Sequence, residues 1–172
     1  YSDLSNSEPG ESFRLTNVTF INGMAEERYA LRFGGTAVIR NCVIDGKTYY
    51  NTGKPIQADH NCTTEDWSSF GPGNIIADPM LTPTGYLLAG SPCIDAGNSS
   101  EAPIEDIDGV TRPSGNGVDI GCREFKDSDG DGLSDEDEEN IFQTDPLKRD
   151  TDNNGIDDGD EDFDKDNLTN LQ

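Results

Sequence analysis

The sequence predicts a mainly β chain, a stack of short strands followed by an irregular, acidic repeat tail. Three observations carry that expectation. Strand-like pieces recur at an offset of 24 residues, so that Leu15, Asn17, Val18 and Phe20 align with Ile39, Asn41, Cys42 and Ile44. No segment before residue 126 has an apolar stripe at helical spacing. An acidic pattern that begins at Asp127 recurs at Asp150 and again at Asp162.

Residues 1–12 are polar and read as a linker or N-terminal extension. The strand-like pieces then run from Phe13 to Gly23, from Ala37 to Gly46 and from Ile56 to Thr64, with a shorter alternating piece from Ala30 to Phe33. The third long piece places Asn61-Cys62 a further 20 residues after Asn41-Cys42. Short strands that repeat every 20–25 residues between Asn and Gly turns suggest a solenoid. One coil cannot bury its own apolar face, so its neighbours must stack on it. An antiparallel sandwich, whose strands also recur at short intervals, is the alternative that periodicity leaves open.

The tail pattern is that of a cation loop. Asp127, Asp129, Asp131, Asp135 and Glu138 put oxygen side chains at positions 1, 3, 5, 9 and 12, Gly132 stands at the sharp turn of position 6, and Leu133 offers a carbonyl at position 7. A hard cation such as Ca²⁺ takes six to eight oxygens at about 2.3–2.6 Å, and this spacing can wrap them around one point. Asp150, Asp152, Asn154, Ile156 (carbonyl), Asp158 and Glu161 repeat the positions. A third copy offers Asp162, Asp164, Asp166, Leu168 (carbonyl) and Asn170, with Asn167 in place of the glycine. It stops at Gln172, its eleventh position, and so reads as cut. A solvated acidic tail without ions is the bland alternative.

The charge is uneven. Residues 127–172 carry 18 acids against Lys148, Arg149 and Lys165, net −15, of a total of −23. Such a segment repels itself without counter-ions. Nucleic acid, which needs a basic footprint, is excluded as a partner on this reading. No apolar run approaches the roughly 20 residues of a membrane span. The chain opens on Tyr1 without a leader and reads as a processed product or a piece of something larger. Loops of this kind fill where calcium is abundant, which points to an extracellular or cell-surface location.

Catalytic constellations are scarce. His60 is the lone histidine, Ser91 lacks a nucleophile-elbow frame, and no C-x-x-C pair is present. Arg28, Arg32, Arg40, Lys47 and Asp45 could serve a polysaccharide lyase or hydrolase groove, but ordinary surface charge is the simpler account. Asp106, Asp108 and Arg112 are expected to staple a loop, and Asp95 and Asp119 to cap turns. Tyr49, Tyr50, Trp67 and Phe70 are candidates for a sugar platform or, more simply, for core.

Residues 61–125 contain Ser91-Pro-Cys-Ile-Asp-Ala-Gly97, Asp106-Ile-Asp-Gly-Val-Thr-Arg-Pro113 and Asp119-Ile-Gly-Cys-Arg-Glu124. This combination resembles the terminal segment of bacterial surface proteins of the right-handed parallel β-helix, pectin-lyase-like class, some of the choice-of-anchor Q type. The resemblance implies that residues 13–70 are coils of such a helix and 71–126 its terminal, capping segment. The tail, 127–172, resembles the thrombospondin type 3 calcium repeats of bacterial exoproteins. A dockerin also starts its loops at this interval. It needs a helix of about ten residues after each loop, and here Pro146 interrupts the first and the third loop follows the second by only 12 residues.

The expected fold is therefore a short right-handed parallel β-helix with a capping segment and an irregular calcium-binding repeat tail. The expected function is a non-catalytic structural module of the cell surface or matrix. Its partners would be further copies of itself in a filament, other surface proteins or polysaccharide. The first coil, from Phe13, is expected to associate end to end with another chain. Cys93 and Cys122, both in the terminal segment, are expected to be disulfide-bonded. Cys42 and Cys62 are expected in register on adjacent coils, bonded or as stacked thiols.

Overall fold

The computed structural model describes residues 2–4, 12–21, 30–50, 53, 55–163, 165 and 168–171. The chain divides into two compact units, Tyr1–Glu124 and Phe125–Gln172.

Among the described residues of the first unit, all strands lie before residue 77, with one 3₁₀ turn at Ser68–Phe70, and residues 77–124 are turns and bends with two isolated bridges. Its strands are β1 (Ser2–Leu4), β2 (Ser12–Thr16), β3 (Thr19–Ile21), β4 (Leu31–Phe33), β5 (Thr36–Arg40), β6 (Val43–Asp45), β7 (Thr48–Tyr50), β8 (Ile56–Asp59), β9 (Cys62–Thr63) and β10 (Ile75–Ile76). They form three parallel sheets, ordered β1-β4-β7, β2-β5-β8 and β3-β6-β9-β10. From β1 to β9 each pairing joins strands three places apart, so the chain passes the same three sheets on successive turns, and β10 then pairs with β9. Pairing is parallel throughout these sheets, which rules out the antiparallel sandwich for this part of the chain.

The 24-residue offset is the true register of the first two turns: Leu15 pairs with Ile39 and Phe20 with Ile44. The next turn departs from expectation. Ile39 pairs with Ala58 and Val43 with Cys62, an offset of 19 rather than 20. Cys62 therefore lies opposite Val43, and Asn61 opposite Cys42, whose backbone N–H it receives on Oδ1 at 3.0 Å. The repeated Asn-Cys dipeptide suggested the wrong alignment. The side-chain alternation of the strands, which a one-residue slip would invert, decides the right one.

That alternation builds the core. Along β5, Ala37 and Ile39 are buried between half-exposed neighbours. Leu31, Phe33, Ile39, Cys42, Ile44, Ala58 and Trp67 enclose one cluster, with Phe13, Tyr50 and Phe70 against it. Aromatic rings stack from turn to turn: Phe13 on Phe33 at 5.0 Å, Phe33 on Tyr50 at 5.8 Å, Tyr50 on Phe70 at 5.4 Å and Phe70 on Trp67 at 5.9 Å. Such pairs contribute beyond simple area burial. Trp67 is thus a core residue, with Tyr50 and Phe70 partly buried against it. Tyr49 alone of the four is exposed, with the Arg32 guanidinium 5.3 Å from its ring centre.

One corner of every turn is left-handed. Asn17, Asn41, His60 and Gly73 have φ of 52°, 51°, 52° and 71°, and the register aligns them. Asn and Gly tolerate this conformation best. His60 stands at this corner, its ring where a Cβ on Gly73 would come within 2.6 Å. The asparagine amides are bonded inward. Asn41 Nδ2 donates to Asn17 Oδ1 at 3.2 Å and Asn61 Nδ2 to Asn74 Oδ1 at 2.9 Å. Asn17 and Asn61 are both buried.

Asn74 closes the last turn, donating to the carbonyls of Ala58, Trp67 and Gly71. Residues 77–124 then run back along the asparagine corner. Asn17 Nδ2 donates to Asp119 O and Gly121 O, Asn98 N to Asn41 Oδ1 at 2.8 Å, and Cys122 N to Thr19 Oγ1 at 3.0 Å. This return segment has few ladders and is held by polar side chains. Arg112 and Glu124 form an ion pair whose side chains are almost wholly enclosed. Glu124 also receives Asp119 N and Ser114 N, and Asp106 receives Glu124 N and Val110 N. The stapling expected of Asp106 and Arg112 is what their side chains do, and Asp108 adds an ion pair to Arg123. Asp119 receives Asp95 N, and Asp95 receives Gly117 N, each at 2.7 Å.

All four cysteines are free, so the expected Cys93–Cys122 disulfide is not present. The return segment buries Cys93, and Cys62 Sγ lies 3.6 Å from Ala77 O. Cys122 instead lies against Arg123, 3.8 Å from Nη1. Proximity in sequence motif did not translate into proximity of sulfur.

Candidate metal centre

The second unit holds the acidic loops, and its first loop is built as the spacing predicts. Asp127 Oδ1 receives Gly130 N at 2.6 Å and its Oδ2 receives Gly132 N at 3.1 Å, which folds the chain back over its first residue. Gly132 has φ of 101°, a conformation that a side chain rarely adopts. Asp131 Oδ1 receives Leu133 N at 2.8 Å. Ser134 then caps a helical turn, Asp135–Asp137, by accepting Asp137 N at 3.1 Å, and the turn widens into a π turn, Glu138–Phe142. The helical turn swings Glu138 back under the loop.

Two groups of carboxylates result. One oxygen each from Asp127, Asp129 and Asp131 lie within 4.8 Å of one another, and so do oxygens of Asp131, Glu138 and Asp158. Asp131 belongs to both. Glu138 is 0 % exposed and Asp158 1 %. Two buried oxygens in these groups, Asp129 Oδ2 and Glu138 Oε2, have no hydrogen-bond partner. A buried carboxylate oxygen without a donor is costly, and a cation is the group that would satisfy it. The donor set is all oxygen, which suits Ca²⁺ or another hard cation and not a thiophilic metal.

The electrostatics point the same way. Burial raises the carboxyls of Asp129 and Asp131 above the ordinary range, and neighbouring carboxylates add to it. Burial, reinforced by Asp129, Asp131 and Asp135 and opposed by a bond from Thr144, pushes Glu138 up to about 7. These acids oppose one another unless a cation lies among them.

The second loop repeats much of the first loop's bonding. Asp150 Oδ2 receives Gly155 N at 2.8 Å, and Asn154 Oδ1 receives Ile156 N at 2.9 Å. In all three loops the ninth residue clasps the backbone of the second. Asp135 receives Ser128 N at 2.8 Å, Asp158 receives Thr151 N at 3.0 Å, and Asn170 receives Phe163 N at 3.0 Å. Asp135 is not drawn into either carboxylate group; its oxygens serve Ser128 and Lys126. Asp158 does both, clasping its own loop while reaching the cluster of the first.

The remaining expected ligands are less gathered. Asp150, Asp152 and Glu161 do not converge as the first loop's acids do, although Asn154 Nδ2 donates to Glu161 Oε1 at 2.6 Å. Leu133 is buried beside the first cluster, whereas Ile156, Asp162 and Leu168 are exposed. Asp164 and Asp166 lie outside the described residues. Sequence reasoning missed the crossing of Asp158 into the first loop. It also missed two contacts that tie the loops together. Gly159 N donates to Asp131 Oδ2 at 3.0 Å, and Leu171 packs where a Cβ on Gly132 would stand. A ninth-position acid looks alike whether it serves one loop or two, so the spacing held no signal for the crossing.

The loops lean on one another through Asp158, Gly159 and Leu171. No helix of the described residues is long and apolar enough to cross a membrane. No curated protein and no solved structure matched the chain. Residues 127–149 match the bacterial TSP3 repeat, a calcium-binding repeat, so the first loop and the helical turn behind it are similar to that family.

Proposed function

We propose that this chain is an extracellular, non-catalytic structural module of a bacterial cell surface or matrix, stabilised by calcium in its C-terminal unit. The observation that carries the reading is the buried, unpartnered Glu138 Oε2 beside Asp131 and Asp158. Calcium held by Asp127, Asp129, Asp131, Glu138 and Asp158 would supply the charge that these acids lack, and the unit has little apolar core to hold it otherwise. Phe142 on Phe163 is its one described ring pair.

In this reading the first unit is a short right-handed parallel β-helix of the pectin-lyase-like, choice-of-anchor Q type. The stacked parallel strands support it, and parallel connections are right-handed almost without exception. The catalytic alternative, a polysaccharide lyase or hydrolase, is disfavoured by the engagement of its candidate cations. Arg40 is held between Asp59 and Glu101, and Arg32 lies on Tyr49. Arg28 lies outside the described residues. Neutralising the acidic tail would also let copies approach one another or other surface proteins, so calcium-dependent assembly into a polymer belongs to this reading. Exposed Tyr49 is the residue most open to a polysaccharide.

Limited proteolysis tests it. With about 1 mM Ca²⁺, the range of extracellular modules, residues 125–172 should resist cleavage; with chelator they should be cut while 30–124 survive. Equal resistance in both conditions would overturn the proposal. Sedimentation of the same samples reports the assembly.

A further inference from the structure

We propose that a cleft beside β7 is a subsite for one sugar residue of a neutral glycan. The sheet β1-β4-β7 stops one strand short of its neighbour β3-β6-β9-β10. After β9 the described chain adds no strand to it, but runs through Glu65, Asp66 and Trp67 into the 3₁₀ turn Ser68–Phe70. A cleft of about 360 Å³ is left there, lined by Thr48, Tyr49, Tyr50, Glu65, Asp66 and Trp67. The edge of β7 is already engaged: Glu65 Oε2 receives Thr48 N at 3.0 Å, and the Thr48 hydroxyl as well. An extended peptide that paired with this edge would need that N–H, so the cleft does not suit an added strand.

The lining joins an apolar face to polar groups of both kinds, as a sugar ring does. Tyr49 is 49 % exposed. Arg32, its register partner on β4, sets its guanidinium 5.3 Å from the ring centre. The open part of that ring can pack on the C–H face of a pyranose. Glu65 and Asp66 are acceptors, and the Asp66 carboxylate is exposed and oriented by Ser68 N, which donates to Oδ1 at 2.9 Å. Trp67 supplies the opposite polarity, since its enclosed Nε1–H has no acceptor among the described residues. A hydroxyl both donates and accepts. One sugar can therefore give protons to the carboxylates and offer an oxygen to the indole. Other ligands match less of the cleft. An apolar one would strip water from both carboxylates without replacing it. An anion would meet Glu65 and Asp66 on a chain of net charge −23. A cation would compete with Arg32 for the ring of Tyr49. The subsite rests on the surface role proposed above for its access to polysaccharide, but its chemistry uses neither calcium nor the C-terminal unit.

Trp67 is the sole tryptophan, so its indole N–H gives a single signal in a nitrogen–proton correlation spectrum. The test titrates the full chain, with calcium and with chelator, with neutral oligosaccharides of glucose, mannose, galactose and xylose. Oligogalacturonate, glycerol and an extended peptide of alternating Val and Thr are the controls. The expected result is a saturable shift of the indole signal with at least one neutral oligosaccharide, the same in both calcium conditions. Tyr49→Ala should weaken that binding roughly fivefold or more by removing the ring. Ile104→Ala, at an exposed position of the return segment, should leave it unchanged. Tyr49 is exposed, so its variant should keep the wild-type urea midpoint, and the wild-type titration depends on no variant. No saturable shift with any neutral sugar, an equal response to oligogalacturonate or glycerol, a response to the peptide alone, or full affinity in Tyr49→Ala would overturn the subsite. None of these outcomes alters the proteolysis contrast between calcium and chelator, so failure of the subsite and failure of the calcium reading are told apart.

Discussion

Asp131 and Asp158 belong to different acidic loops, yet their carboxylates meet in one buried group with Glu138, and the N–H of Gly159 donates to Asp131 Oδ2. The second loop thereby completes the first. An isolated first loop would keep Asp127, Asp129 and Asp131 but would lose a buried oxygen donor and the backbone bond that orients Asp131.

The first prediction follows from that meeting. Asp158→Asn should weaken calcium binding at the first loop by roughly tenfold or more, because ligand charge sets affinity in such sites. Asp152→Asn, confined to an exposed edge of the second loop, should leave the first loop's affinity within about twofold. Calorimetric titration of each variant measures the difference. Equal losses in the two would show that the loops act separately.

Glu138→Gln should have opposite effects in two conditions. Without calcium it removes a buried, mutually repelled acid and should raise the melting temperature of the C-terminal unit. With saturating calcium it removes a charged ligand and should lower it. Thermal melts with and without chelator read both signs. Glu139→Gln, on an exposed position of the same turn, should do neither.

The Arg112–Glu124 pair locks the return segment. Breaking a buried ion pair from one side leaves an unpaired charge and costs about 3–5 kcal/mol. Arg112→Met should therefore destabilise the first unit by about that much in urea unfolding followed at Trp67. Arg112→Met with Glu124→Leu should recover part of the loss, since no charge is then stranded. Because Glu124 also receives Asp119 N and Ser114 N, recovery should be incomplete.

Asn41 should be replaceable only at a cost that separates backbone from side chain. Its amide bonds to Asn17 and to both backbone groups of Asn98, and its φ is 51°. Asn41→Ala should cost about 3 kcal/mol through the lost hydrogen bonds and the left-handed backbone together. Asn41→Gly should be milder by about 1 kcal/mol, since glycine accepts that conformation. Equal destabilisation would place the whole effect in the amide.

Local chemistry made much of this protein legible from residues alone. The spacing of Asp127, Asp129, Asp131 and Glu138 around Gly132 is a local backbone path, and a twelve-residue loop has few other ways to satisfy those side chains. The 24-residue match of Leu15 and Phe20 to Ile39 and Ile44 held because both turns keep the same strand and corner lengths. The following turn does not, and the Asn-Cys dipeptide there suggested a register one residue out. Which loop Asp158 serves was decided by the folded chain. Residues far apart in sequence come together there through turns whose lengths leave no periodic mark. Tertiary packing also made Asp135 a clasp on Ser128 and placed Trp67 in the core, with Tyr50 and Phe70 packed against it. Sequence spacing states which groups a loop could bring together. Packing decides which neighbour supplies the remaining oxygen or ring.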